Sequence, residues 1–276
     1  MVRNLKKGIP HIFLLGYLLI ILFPFLFVLF SSVKKDNNAI ALHPFGLPKE
    51  FVFNNYYEAW VNAKISTYFL NSLYISLLAA IVTILIAAMF SYAVTRMRFG
   101  KLAAALFGLV LIGMLIPNNA MMLPIYTLVR KLGILNTHLA LIIPYIGNAI
   151  PFTVIILAAF MRSLPSEIEE AAVMDGLSAS GIFARIVLPL TVPAIITVFI
   201  VNFLSNWNEF LLANYFLSKD TLRTLPVGMV QFRNQYQMNY AQMSAGIVYS
   251  VVPVVIIYAF LQEKIIEGVT AGSVKG

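Results

Sequence analysis

The sequence predicts an all-α membrane protein with six transmembrane helices, and three observations predict it. Of 276 residues, 61% are hydrophobic and only 11% charged, with mean hydropathy +0.88, too apolar for a soluble domain of this length. The apolar residues come in blocks of twenty or more, and about twenty residues rising about 1.5 Å each cross the roughly 30 Å of bilayer hydrocarbon. None of these blocks shows the period-two alternation of a membrane barrel strand, so helices, which satisfy their own backbone, are the expected spans. They are placed near residues 11–33, 69–95, 103–128, 137–161, 187–213 and 243–263.

Residues 1–10 are expected to be a short cytoplasmic N-terminus. Arg3, Lys6 and Lys7 precede an apolar run too long for a signal-peptide core, and Ser31-Ser32-Val33-Lys34-Lys35 ends it without a small-x-small cleavage site. It reads as a retained first span. The connection over about 34–68 carries Phe51, Phe53, Tyr56, Tyr57 and Trp60, and is expected to be a folded loop at the headgroup level.

Ser72, Ser76, Ala79 and Thr83 run along one side of the second span, with Ala80, Ala87, Ala88 and Ser91 continuing the small residues. Such a stripe lets helices approach closely, which predicts burial in a bundle. Arg96, Arg98 and Lys101 close this span with a basic turn. Pro117-Asn118-Asn119 and Pro124 break the third, and the fourth holds Pro144 and Pro151. Proline at this depth serves either a kink around a cavity or packing alone.

Residues 162–189 form a charged island between apolar blocks. Glu167, Glu169, Glu170 and Asp175, four of the eleven acids, fall within nine residues. Ser166 and Glu169 have capping-box spacing, Gly176 suits a left-handed helix end, and Ser178 can start a second short helix. Ile168, Ala171, Ala172 and Asp175 recur at i, i+3, i+4 and i+7, a narrow face of small side chains that a partner's groove could approach.

In the fifth span Asn202, Ser205, Asn206 and Glu209 share one helical face beside Trp207 and Asn208. Polar groups there are costly and face a bundle interior or a wet cavity. Two readings stand: a pathway for a polyhydroxylated solute lined by Asn202, Ser205, Asn206, Trp207 and Glu209, or hydrogen bonds that assemble the bundle. The aromatic, polar stretch 214–242 is expected outside the membrane, and 265–276 forms a small-residue cytoplasmic tail.

With both termini on one side, ten Lys/Arg lie there against nine opposite, a weak bias toward cytoplasmic termini. The net charge of +8 is scattered without a basic run, so anionic lipid explains it and nucleic acid is not an expected partner. No cysteine is present, which excludes disulfides and thiolate sites. No G-x-x-x-x-G-K-[S/T] loop occurs, hence no expected ATP site, and His11, His43 and His138 are too scattered for an expected metal site. No cofactor is expected on this chain.

Glu170-Ala171-Ala172, three residues, Gly176, nine residues, Ile186, one residue, Leu188-Pro189 resembles the EAA loop of the membrane subunits of bacterial ABC importers. Further resemblance covers nearly the whole chain: Pro24, Ser31–Lys34, Asn71-Ser72, Tyr92-Ala93, Phe99-Gly100-Lys101, Asn136-Thr137, Asp175-Gly176, Trp207-Asn208-Glu209 and Thr270-Ala271-Gly272-x-x-Lys275-Gly276. These are similar to the carbohydrate-uptake branch related to the maltose transporter, and to the smaller of its two membrane subunits. Leu177 departs from the small residue common after the glycine. The resemblance implies a type I (MetI-like) permease fold in the bacterial inner membrane, residues 11–264, with a coupling loop at 162–189. Its implied partners are a second permease, two copies of a cytoplasmic ATPase that carry ATP and Mg, and an extracytoplasmic solute-binding protein. Glu170, Ala171, Ala172, Asp175, Gly176, Ile186, Leu188 and Pro189 would couple to the ATPase, 214–242 would meet the binding protein, and Thr270–Lys275 would reach the ATPase interface. The alternative is a self-contained secondary transporter with Glu209 as its ion-coupling carboxylate.

Overall fold

A computed structural model describes the backbone of residues 2–97, 99–235 and 239–273, and the side chains of these except 2–9, 12, 231–235 and 263–273. Arg98 of the basic turn, Tyr236–Met238 and the side chains of Gln231–Gln235 in the outer stretch, the side chains of Thr270–Ser273, and Val274–Gly276 therefore lie outside the described residues. Among the described residues all regular structure is helical. Four helices are long and apolar enough to cross a membrane: Phe13–Ser32 within Val2–Ser32, Ile65–Arg96, Leu139–Ser163, and Tyr240–Gln262 within Tyr240–Ser273. Two bent pairs, Lys101–Gly113 with Asn118–Lys131 and Ala179–Leu190 with Val192–Trp207, make six if each is one span.

The bends have identifiable causes. Pro117 starts a 3-10 turn over Asn118–Met121, and the flanking helices meet at 89°. In the second pair Phe183–Val187 widens to a π-turn just before Pro189, and the helix turns by 73° around the buried Thr191. The hydroxyl of Thr191 donates to the Val187 carbonyl at 2.7 Å, so the bend keeps its polar groups satisfied. The fifth span is thus not the continuous helix expected over 187–213. It breaks again after Trp207, and a short helix Leu211–Phe216 follows. By contrast Pro144 and Pro151 sit inside an unbroken helix. The expected tail from 265 is helical through Ser273.

The chain forms two compact units. The first comprises residues 1–69 and 227–253. In it the loop after the first span is folded, as its aromatics predict. Asn55, 5% exposed, donates to the carbonyls of Ser32 (2.9 Å) and Lys34 (2.8 Å), and the Lys34 ammonium donates to those of His43 and Pro44. Asp36 caps the helix Asn37–Leu42 by accepting from the Ala39 amide at 2.8 Å. Trp60 packs at a tilt against Phe69 and Tyr249, with centroids 5.6 and 4.8 Å away. Gly228 lies against Tyr68, so close that an added Cβ would stand 2.1 Å from the ring.

The second unit comprises residues 70–226 and 254–276. Its seam is the small-residue stripe: Ser72, Ser76, Ala79, Ala80, Thr83, Ala87, Ala88 and Ser91 are all buried. Its core joins Ile84, Ala88 and Tyr92 to Val154, Leu157 and Met161 of Leu139–Ser163, to Ala172 and Ile182 of the charged island, and to Val187 and Val198. Two asparagines hold the stretch after the fifth span. Asn71 donates to the carbonyls of Thr221 and Arg223, both at 2.9 Å. Asn136, at φ +60, accepts from the Ser218 amide and hydroxyl and from the Lys219 amide.

A Cβ at Gly228 must push a buried ring, whereas at the helical Gly108 it meets nothing within 4 Å. Gly228→Ala is therefore expected to destabilise by about 1–3 kcal/mol. Gly108→Ala should be neutral or up to about 1 kcal/mol stabilising. Thermal unfolding of both variants in detergent measures the contrast.

Candidate functional site

Two groups of predicted residues occupy different places in the second unit. In the charged island the helix Ser166–Met174 does form, but not by the expected capping box. Pro165 precedes it and no side chain caps it. Glu169 turns instead to Arg96, whose Nε lies 3.2 Å from Glu169 Oε1. The glutamates of the first turn still suit the helix dipole. Gly176, at φ +80, ends the helix in the left-handed conformation, and the Leu177 amide returns to the Ala172 carbonyl at 3.0 Å. Ser178 then caps Ala179–Ile182 through the Gly181 amide, as its position predicts.

The faces of this helix differ from the expected narrow stripe. Ala172 is buried at 4% exposure and belongs to the protein's own core, where Ile186 and Leu188 also pack. Glu170, Ala171, Asp175, Gly176 and Pro189 are exposed. The exposed apolar side chains are Ile168 (40%), Val173 (59%) and Met174 (86%). Sequence periodicity missed Val173 and Met174, because it gave the partner-facing side to Ile168, Ala171, Ala172 and Asp175, of which Ala172 turns to the core instead. Their signal was the lack of any polar residue between Ala171 and Asp175. A charged helix that ends on an exposed methionine is suited to insertion into an apolar groove.

The second group lines a cavity of about 370 Å³. Asn202, Ser205, Asn206 and Glu209 all reach it, joined by Asn118, Asn119, Tyr145 and Asn148 from the third and fourth spans. Sequence reasoning had noted Asn118-Asn119 only as a break and had passed over Asn148 and Tyr145. The signal available was the further amides Asn118, Asn119 and Asn148, which stand within four residues of Pro117, Pro144 or Pro151. Trp207 is not brought there: it is 2% exposed and stacks on Phe203 with centroids 5.7 Å apart.

Polar satisfaction separates the lining residues by role. Asn202, 3% exposed, donates to the Thr153 hydroxyl at 2.9 Å. Glu209 lies past the helix end, in the break, and its carboxylate is engaged by three donors. These are the Tyr145 hydroxyl (2.7 Å) and the amides of Leu212 (2.7 Å) and Ala213 (3.1 Å), so it caps the short helix that follows. Asn206, at 9% exposure, keeps its Nδ2 buried without a hydrogen-bond partner. Its amide is a donor held ready at the cavity wall, where a hydroxylated ligand could satisfy it. No Lys or Arg lines the cavity, and among the described residues no group of three or more His, Cys, Asp or Glu could hold a metal ion.

Residues 80–269 match the family described as binding-protein-dependent transport system inner membrane component. The chain is 36% identical over 265 residues to the probable ABC transporter permease protein YurM of Bacillus subtilis, covering 96% of this chain and 87% of that one. It is 35% identical over 269 residues to the diacetylchitobiose uptake system permease protein NgcG of Streptomyces coelicolor, covering 96% and 88%. The fold is similar to a chain of a bacterial ABC transporter that imports the acidic polysaccharide alginate, with TM-score 0.82 at 23% identity over 95% and 97% of the two chains. A self-contained secondary transporter finds no support: the family is one of ABC permeases, and the carboxylate such a carrier would need is occupied as a cap. The chain belongs to the binding-protein-dependent transport system inner membrane component family, and is an ABC importer permease, a transport subunit rather than an enzyme.

Proposed function

We propose that this permease carries a sugar or oligosaccharide across the bacterial inner membrane, with both termini cytoplasmic, and that its Ser166–Met174 helix couples it to a cytoplasmic ATPase. A second permease would complete the pathway, two ATPase copies carrying ATP and Mg would drive it, and an extracytoplasmic solute-binding protein would deliver the solute. Diacetylchitobiose uptake by the system of NgcG supports the solute class.

One observation carries the coupling half: an exposed acidic helix, ending on Met174 and a left-handed Gly176, is mounted on a core shared with three spans. Glu170, Ala171, Asp175 and Gly176 would face the ATPase together with Val173 and Met174, while Ala172, Ile186 and Leu188 would hold the helix to the spans. Pro189 would set the bend that follows. The orphan amide of Asn206 supports the pathway half. In that reading Asn118, Asn119, Asn148, Asn202, Ser205 and Asn206 face the solute, and Glu209 shapes the wall. Trp207 would support the wall from behind. Residues 214–230 and 239–242, pinned in part by Asn71 and Asn136, would meet the binding protein. The helical end through Ser273 would approach the ATPase interface.

An added Cβ at Gly176 meets nothing within 4 Å, so substitution acts through the backbone rather than by collision. A non-glycine residue at φ +80 costs about 1–2 kcal/mol, enough to favour a different helix end. Gly176→Ala is expected to reduce binding-protein-stimulated ATP hydrolysis of the purified importer several-fold. Gly176→Asp, which adds an acid to the docking face, should abolish it. Unchanged stimulation in both variants would overturn the coupling assignment.

The two cavity residues should separate on stability. Asn206→Ala removes an amide nitrogen that nothing satisfies and strands no partner of it, so it should cost much less stability than loss of a partnered group while lowering uptake of the oligosaccharide that the co-purified binding protein retains. Glu209→Ala strands three donors and should cost about 3 kcal/mol, read as a lower unfolding midpoint. Normal uptake by Asn206→Ala would contradict the pathway assignment.

A further inference from the structure

Arg96 is the last residue of Ile65–Arg96, and its side chain is 13% exposed. Its Nη2 donates to the carbonyls of Met161 and, at 2.8 Å, Leu164. Its Nε stands 3.2 Å from Glu169 Oε1, in an ion pair whose atoms are buried and make no aligned hydrogen bond. One guanidinium thus ties together the end of the second span, the end of Leu139–Ser163 and the first turn of Ser166–Met174.

The arrangement follows from helix ends. The last carbonyls of Leu139–Ser163 have no partner within their own helix, and a cation placed there complements the negative ends of two helices at once. Glu169, near the start of its helix, complements a positive end. The fixed, spread donors of a guanidinium let one side chain serve two carbonyls through Nη2 while Nε lies beside a carboxylate, a geometry that a single ammonium nitrogen does not reproduce. Apolar contacts also hold the coupling helix, through Ala172 and through Phe183 against Tyr92 at 5.2 Å, but such contacts are non-directional and allow sliding. Arg96 adds direction. The helix whose end it grips is also the one that carries Tyr145, Asn148, Ala149 and Phe152 on the cavity wall.

We infer that Arg96 is a positioning residue, a strut that fixes Ser166–Met174 to the second and fourth spans so that displacement of that helix moves the cavity wall. The inference rests on the coupling role proposed above. Without the fork, the helix would follow the ATPase while the spans lag behind it.

The absence of cysteine from the chain allows a direct test. Ala149→Cys places a single thiol on the cavity wall, and its maleimide reaction is read on this chain by mass spectrometry. The rate is measured in the importer purified with its partner subunits, without nucleotide and after trapping with ATP and vanadate. Trapping is expected to change the rate when Arg96 is present. In Arg96→Ala the partners and ATP hydrolysis should persist while the change in rate is lost, and Arg96→Lys, which keeps charge but not the fork, should restore only part of it. Glu169→Gln, isosteric and without charge, should also shrink the change, and it decides the matter if Arg96→Ala does not assemble. A full change in Arg96→Ala, or in Glu169→Gln where only that variant assembles, would overturn the strut while leaving coupling intact. No change on trapping even with Arg96 and Glu169 present would overturn the coupling role and the strut together.

Discussion

Helices in hydrocarbon gain little by burying leucine against leucine, because lipid offers the same contact, so close approach of small residues must hold them. The second unit depends on that constraint. Along Ile65–Arg96 the buried residues from Ser72 to Ser91 are serine, alanine, threonine and a single isoleucine at each of two positions, Ile75 and Ile84. Three of their hydroxyls are used: Ser72 accepts from the Leu225 amide at 2.8 Å, Thr83 donates to the Ala79 carbonyl at 2.7 Å, and Ser91 donates to the Val154 carbonyl at 3.2 Å. Because this seam is tight, Tyr92 and Arg96 at its end can meet the charged island, and the island becomes part of a core rather than a loose connector.

Two consequences follow for transport. The helix Ser166–Met174 stands on a body that includes the second, fourth and fifth spans, so in the proposed coupling it would act as a handle on them. The cavity is built from the breaks in other helices. Pro117 opens the third span at Asn118-Asn119, and the end of Val192–Trp207 puts Asn206 and Glu209 beside them. Breaks of this kind are tolerated in a membrane where the irregular backbone lines a polar cavity.

Much of this was legible in the residues. The small stripe, the aromatic loop after the first span, the left-handed Gly176 and the Ser178 cap each follow from local rules, and the structure has them where those rules put them. What was not legible required tertiary knowledge. Ser166 and Glu169 have the spacing of a capping box, but Arg96, seventy residues away from the rule's reach, offers Glu169 a charged partner and wins. Ile168 to Asp175 has a periodic face, yet periodicity alone cannot tell which side meets the core. Trp207 looked like an aromatic contact for solute and is a wedge behind the wall. Glu209 was read as one more polar residue on a helical face. It is instead a cap on the short helix that follows, an assignment visible only once the break after Trp207 is known.

In the proposed coupling, Ser166–Met174 meets a cytoplasmic ATPase through Met174. The most direct test replaces Met174 with a photo-reactive phenylalanine analogue and irradiates native membranes. An adduct with an ATPase subunit is expected at Met174, and none when the same analogue stands at Asn148. Adducts at Met174 only with lipid or with an extracytoplasmic protein would contradict it.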